Sequence, residues 1–265
     1  MDKIDYTQET TLVTGASSGL GAEFARQLAA RGSNLILVAR RADRLHDLES
    51  DLTGKYGISV TTVPFDLATA DSGRRLHQEL TQRGVKATSL INCAGFGTHG
   101  DFTQEDAERI QQEITLNVAA LVDATHAFLP DLRGVLVNVA SLLAYQSWPT
   151  AAVYGATKAF VLSFTEALWE EMQDNDLRIL ALGPGPTRTE FFDVAGSDQM
   201  SAGAPMQTSA QVVRTALRVL DRRTPPPSVV SGPINKVIAT LPRLLPRRLA
   251  VQTFGKIVRR GAVAK

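Results

Sequence analysis

The sequence predicts an α/β fold in which a doubly wound parallel sheet carries helices on both faces, within a single domain. Three observations lead there. Short apolar, β-branched runs alternate with longer helical patterns through some six units. Most of those runs are apolar without alternation, the pattern of strands covered on both sides. The 265 residues, 44% hydrophobic and 21% charged, are enough for one large core and exclude a disordered or fibrous chain.

Taken in order, Thr11-Leu12-Val13-Thr14 reads as the first strand, with a helix running to about Arg31. Leu35 to Ala39 forms the second strand, before a charged helix over 41–56. Ile58 to Phe65 is the third, with a helix over roughly 70–83. Ser89 to Asn92 is the fourth, leading into one long helical region over about 104–130. Gly134 to Val139 and Leu177 to Leu182 are the fifth and sixth, separated by a helix over about 151–174. The pattern then lapses over 183–206; a loop this long in a compact domain suits a substrate lid, placed at about 186–206. A helix near 209–222 follows, and Pro225-Pro226-Pro227 breaks the chain before a short run at 228–231.

The main domain is therefore expected over 1–232, followed by a basic extension over 233–265. Charge supports this division: no acid follows Asp221, so the segment after it carries +10 against a body of −9. In the extension Ala250, Val251, Phe254, Ile257 and Val258 recur at helical spacing between basic residues, and Ile234 to Leu245 hint at a second helix. Packing against the acidic body or the lid is the favoured reading, with contact to an anionic membrane surface as the alternative. The lone Cys93, the absence of a signal-like start and the lack of any spanning apolar stretch suit a cytoplasmic protein, or one peripheral to a membrane.

Chemistry concentrates at the strand ends. Thr14-Gly15-Ala16-Ser17-Ser18-Gly19-Leu20-Gly21 joins the first strand to the first helix, where glycines let the backbone approach a pyrophosphate at the helix N-terminus. Where an NAD site usually places an acid, the second strand ends in Ala39-Arg40-Arg41; paired guanidiniums suit a 2′-phosphate and point to NADPH. Tyr154 and Lys158 stand at i and i+4 on one helix face, with Ser141 at the carboxyl edge of the preceding strand. Cys93 reads as a small hydrophobe, and the four histidines lack metal-ligand spacing, although His99 could border a substrate.

With its G-x-x-x-G-x-G turn, the chain resembles the short-chain dehydrogenase/reductase family over roughly residues 8–221. Asn92-Cys93-Ala94-Gly95 matches that family's Asn-Asn-Ala-Gly motif but for Cys93. The order Asn117, Ser141, Tyr154, Lys158 matches its catalytic tetrad, Asp66-Leu67 its adenine-contacting pair, and Pro184-Gly185-Pro186-Thr187-Arg188-Thr189 its nicotinamide-orienting turn.

The resemblance implies a Rossmann fold. It also implies a cofactor site from Gly15, Ser17, Ser18, Gly19, Leu20, Gly21, Arg40, Arg41, Asp66, Leu67, Asn92, Ala94, Gly95, Tyr154, Lys158, Pro184, Gly185, Thr187 and Thr189. Tyr154 would donate the proton, Lys158 would bond the nicotinamide ribose, Ser141 would hold the substrate oxygen and Asn117 a relay water.

The expected reaction is NADPH-dependent reduction of a ketone. Alcohol oxidation with NADP⁺ and a non-catalytic cofactor-binding regulator are the alternatives. Apolar Phe96, Leu142, Leu143, Phe191 and Phe192, joined by Tyr145, Trp148, Met200 and Met206, would shape a pocket for an apolar or acyl substrate. The Arg40-Arg41 stretch and basic C-terminus resemble lipid-related 3-oxoacyl and ketoester reductases. No metal and no nucleic acid are expected, and the assembly should be a homodimer or homotetramer.

Overall fold

The computed structural model describes residues 3–191 and 206–263. Strands β1 (Thr10–Thr14), β2 (Asn34–Ala39), β3 (Val60–Pro64), β4 (Ser89–Asn92), β5 (Val135–Val139) and β6 (Arg178–Gly183) form a parallel sheet. Thr187–Arg188 (β7) pairs with Gln207–Thr208 (β8) outside it, and β9 (Ser228–Val230) adds a seventh parallel strand beside β6. The sheet order is β3-β2-β1-β4-β5-β6-β9, so the winding reverses between β1 and β4, and the crevice at that switch point is where such sheets bind ligands.

Burial on both faces explains the unbroken apolar runs. Val13, Leu35 and Leu37 pack under helices α1 (Gly19–Ala29) and α2 (Ala42–Tyr56), while their neighbours Leu12, Ile36 and Val38 pack on the opposite side. That second side is covered by α3 (Ser72–Gln82) through Leu76 and Leu80, and by Phe128.

The single helix expected over 104–130 is interrupted. It divides into α4 (Ala107–Ile114), a π-helical turn (Thr115–Ala120) and α5 (Leu121–Phe128). Asn117 lies in that turn with its side chain fully buried and bonded to a neighbouring loop. π-turns of this kind frequently occur at functional sites.

Beyond β5, helix α6 (Ala152–Glu171) carries Tyr154 and Lys158, and α7 (Ser209–Leu220) opens with a full capping box at Thr208 and Gln211. The C-terminal extension forms α8 (Pro233–Thr240) and α9 (Arg247–Val263). No helix among the described residues is long and apolar enough to cross a membrane.

Gly21 sits where α1 meets the turn, and a Cβ there would overlap the Gly15 carbonyl. Gly21→Ala should therefore cost about 1–3 kcal/mol in urea unfolding. Gly54→Ala, in an open position of α2, should instead add about 0.5–1 kcal/mol.

Candidate active site

One cleft of about 410 Å³ opens at the carboxyl ends of β1, β4, β5 and β6. Its nucleotide-like end is built on the turn after β1. Gly15 has φ +67°, a left-handed conformation in which its backbone lies against Ala94. Ser17, Ser18, Gly19, Leu20 and Gly21 continue the wall into α1.

At the far end, Arg41 donates from Nε to Ser17 Oγ (3.1 Å) and from Nη2 to Ser18 Oγ (2.8 Å). It also pairs with Glu190 at 2.9 Å, and Arg44 pairs with the other oxygen of that carboxylate. Arg40 lines the same end and is exposed, while Asp66 and Leu67 line the side. Arg44 and Glu190 are additions to the sequence reading. Arg44 follows Arg41 by one helical turn, a signal that sequence carries; the Glu190 contact spans 149 residues and has none.

The floor is pinned by backbone bonds. Thr14 Oγ1 accepts from the amides of Cys93 (2.9 Å) and Ala94 (3.0 Å). Asn117 then clamps the next residues: its Oδ1 accepts from the Phe96 amide (3.1 Å), and its Nδ2 donates to the Phe96 carbonyl (2.8 Å) and to Thr157 Oγ1. Asn117 is thus behind the cleft wall, its amide committed to the protein. Gly95 runs directly in front of it, where a Cβ would stand 2.7 Å from Asn117 Oδ1.

Asn92 does not line the cleft. Its Nδ2 donates to Asn138 Oδ1 (2.9 Å) and Thr125 Oγ1 (3.0 Å), and Asn138 donates to Thr165 on α6. The network fixes β4, β5 and α6 relative to one another.

At the inner end Ser141, Tyr154 and Lys158 converge on the cleft, joined by Ala94, Pro184, Gly185, Thr187 and Thr189. Ser141 caps a short 3₁₀ turn, its Oγ accepting from the Leu143 amide at 3.1 Å. Lys158 Nζ donates to the Val139 carbonyl at 2.9 Å and lies 5.8 Å from the centre of the Tyr154 ring. Burial pushes the Tyr154 phenol up, partly offset by its hydrogen bond with Ser141, and brings the Lys158 ammonium down to about 8. Cys93 lines the floor, and burial pushes its thiol up to about 12, consistent with an inert hydrophobe.

Phe96, Leu142, Leu143 and Phe191 form the apolar wall, with Phe191 5.3 Å from the Tyr154 ring. Phe192 and Met200 lie outside the described residues; Met206 is exposed at the foot of the loop. Tyr145 turns away, packing beneath Arg243 beside Val230 and Ile238. His99 does not reach the cleft either. Its ring bonds Thr150 at 3.0 Å, and with the Gly100 amide on the Thr150 carbonyl it ties together the loops after β4 and before α6.

Helix α9 packs behind this wall. Phe254 packs 5.9 Å from Trp148, and Val258 joins Leu143, Trp148, Ala151 and Tyr154 in one buried cluster. The favoured packing on the body is realised, but not for the expected reason: no described ion pair involves the tail, and apolar contacts hold it. The inward stripe is Ala250, Phe254 and Val258, whereas Val251 and Ile257 face outward. Another unanticipated support is Asn235 of α8, which fills the space beside Gly185 and donates to the Ser231 carbonyl at 2.7 Å.

Comparison with known proteins agrees with this arrangement. Residues 9–200 match the family described as short chain dehydrogenase. Sulfoacetaldehyde reductase 2 of Chromohalobacter salexigens is 34% identical over 203 residues, covering 74% of this chain and 80% of that protein. The very-long-chain 3-oxoacyl-CoA reductase of Laccaria bicolor is 32% identical over 63% of this chain, which spans 52% of the relative's length. Among solved structures, a short-chain dehydrogenase from Sphingobium yanoikuyae in complex with NADPH superposes with a TM-score of 0.77 at 34% identity, covering 89% and 92% of the two chains.

Removing the Phe254 ring should wet the Trp148 indole. Phe254→Ala is expected to red-shift tryptophan emission while costing less than the about 3–5 kcal/mol typical of a fully buried Phe.

Proposed function

Because the chain belongs to the short-chain dehydrogenase family and is an NADP(H)-dependent oxidoreductase of alcohol and ketone groups, we propose that it reduces a ketone on an apolar or acyl-chain substrate to the secondary alcohol. The observation that carries this reading is the convergence of Ser141, Tyr154 and Lys158 at the inner end of the cleft whose outer end holds Arg40 and Arg41. The residues fit the cofactor: the turn from Gly15 to Gly21 leaves open the space a pyrophosphate needs, and the arginines suit a 2′-phosphate. When bound, NADPH supplies the hydride.

Every other step belongs to groups of this protein's own chain. Ser141 holds the substrate oxygen, and Tyr154 donates its hydroxyl proton to that oxygen as negative charge develops there. An unperturbed phenol titrates near about 10, and its burial here raises the difficulty further. The Lys158 charge one turn away offsets this by stabilising the phenolate left behind. Asn117, whose side chain is spent on Phe96 and Thr157, is left its main-chain carbonyl in the π-turn for a relay water. Phe96, Leu142, Leu143 and Phe191, backed by Phe254 and Val258 on α9, give the substrate an apolar wall. That wall supports an aliphatic or acyl ketone over a small charged one.

Glu190 competes for Arg41, one of the two arginines that would receive the 2′-phosphate, and also holds Arg44. NADPH should bind at least about tenfold more tightly than NADH, a difference of about 1.4 kcal/mol. Arg41→Ala should erase most of that preference, and Glu190→Gln should enlarge it. Equal affinities in fluorescence titrations of the wild type would overturn the assignment.

Tyr154→Phe should abolish ketone reduction and leave the NADPH dissociation constant nearly unchanged, whereas Lys158→Ala should impair both. In a screen of ketones of increasing chain length, turnover should rise with apolar length. Should no ketone be reduced faster by wild type than by Tyr154→Phe, the enzymatic reading fails.

A further inference from the structure

Glu113 is a buried carboxyl beside the site that the roles above leave unused. It is fully buried on α4, one turn before Asn117, so the two side chains leave the same helix face. Each grips the loop after β4: Asn117 holds Phe96, and Glu113 Oε2 accepts from the Thr98 amide (3.1 Å) and the Thr98 hydroxyl (2.8 Å). The Thr98 hydroxyl also lies 2.7 Å from Glu105 Oε2. It has one proton for two carboxylate oxygens, so the cluster is one proton short of satisfying both contacts when both acids are ionised. The other oxygen of Glu113, Oε1, is buried without a hydrogen-bond partner among the described residues.

A carboxylate buried with an unpaired oxygen is costly unless an opposite charge nearby compensates it. The loop it grips runs along the site: Gly97, next to Thr98, lies against the Tyr154 ring, and Gly95 stands between Asn117 and Lys158, where a Cβ would lie 3.4 Å from Nζ. Glu113 thus faces Glu105 through Thr98, and Lys158 and Tyr154 on α6; Cys93 on the cleft floor also faces Lys158, and Arg109, one turn back on the Glu113 helix, lies over the Phe96 ring. Its negative charge favours the charged form of Lys158 and opposes formation of the Tyr154 phenolate.

We propose that Glu113 is a positioning residue that keeps the buried Lys158 ammonium charged and thereby sets the upper pH limit of the reaction. The inference rests on the reductase reading for its kinetic arm only. Burial raises Glu113, with its Thr98 bonds opposing the rise and Glu105 adding to it, and burial lowers Lys158, so a carboxylate and an ammonium held this close each favour the other's charged form.

The test compares pH profiles. Glu113→Gln keeps the volume and an acceptor for the Thr98 amide but removes the charge. Without that charge Lys158 deprotonates sooner, so the alkaline limb of kcat for ketone reduction should move down by about one pH unit. Glu113→Asp, which retains the charge, should return the limb toward wild type. Thr98→Val, which withdraws the hydroxyl from the carboxyl, should shift it the same way by less, and this variant decides the question if Glu113→Gln does not fold.

NADPH affinity measured by fluorescence across the same pH range gives a readout that needs no ketone. Loss of binding as pH rises should begin about one unit earlier in Glu113→Gln. If both profiles keep their wild-type position while melting temperature falls or KM rises, Glu113 is only a structural clamp and the proposal is wrong. If no ketone is reduced but the binding profile shifts, the reductase reading fails and this inference stands.

Discussion

The site depends on holding one ammonium group inside the protein. Lys158 is almost fully buried, and a charge in that setting persists only if its surroundings replace water. The Val139 carbonyl at the end of β5 supplies a direct acceptor. That bond requires β5 and α6 to keep a fixed offset, which the Asn92–Asn138–Thr165 chain provides from within the core. Packing around the pair then does double duty. It excludes water from the phenol, and it makes the nearby charge count for more than it would at the surface.

The loop after β4 shows how a segment without regular structure is made rigid. Its amides at Cys93 and Ala94 go to Thr14, its Phe96 amide and carbonyl to Asn117, and its Thr98 amide to Glu113. Thr14 stands on β1, and Glu113 and Asn117 stand one turn apart on the helix that follows the loop, so all are side chains on regular elements. Backbone groups that would otherwise need water are thereby satisfied, and the floor of the cleft becomes as well defined as the sheet it extends.

Much of this was legible in the sequence because it depends on short-range pattern. The strand runs, the glycine turn and the spacing of Tyr154 and Lys158 each lie within a few residues, where backbone geometry dictates what neighbours what. The break in the 104–130 helix was not legible, since the π-turn is imposed by the inward bonding of Asn117 to a loop 21 residues away. Glu190 on Arg41 and Asn235 against Gly185 are likewise tertiary contacts with no local trace. For the tail, helical spacing identified the helix correctly. It could not rank Val251 against Ala250, because which stripe turns inward depends on the shape of the Trp148 surface it meets.

The cleft draws on distant regions of the chain: its phosphate turn spans residues 14–21, and its apolar wall at Leu143 and Tyr154 is backed by Phe254 and Val258. During synthesis on the ribosome, the nucleotide half therefore has its strands and glycine turn long before the helix that backs the apolar wall exists. Until α9 emerges, a nascent chain leaves the apolar backs of Leu143, Trp148 and Tyr154 uncovered.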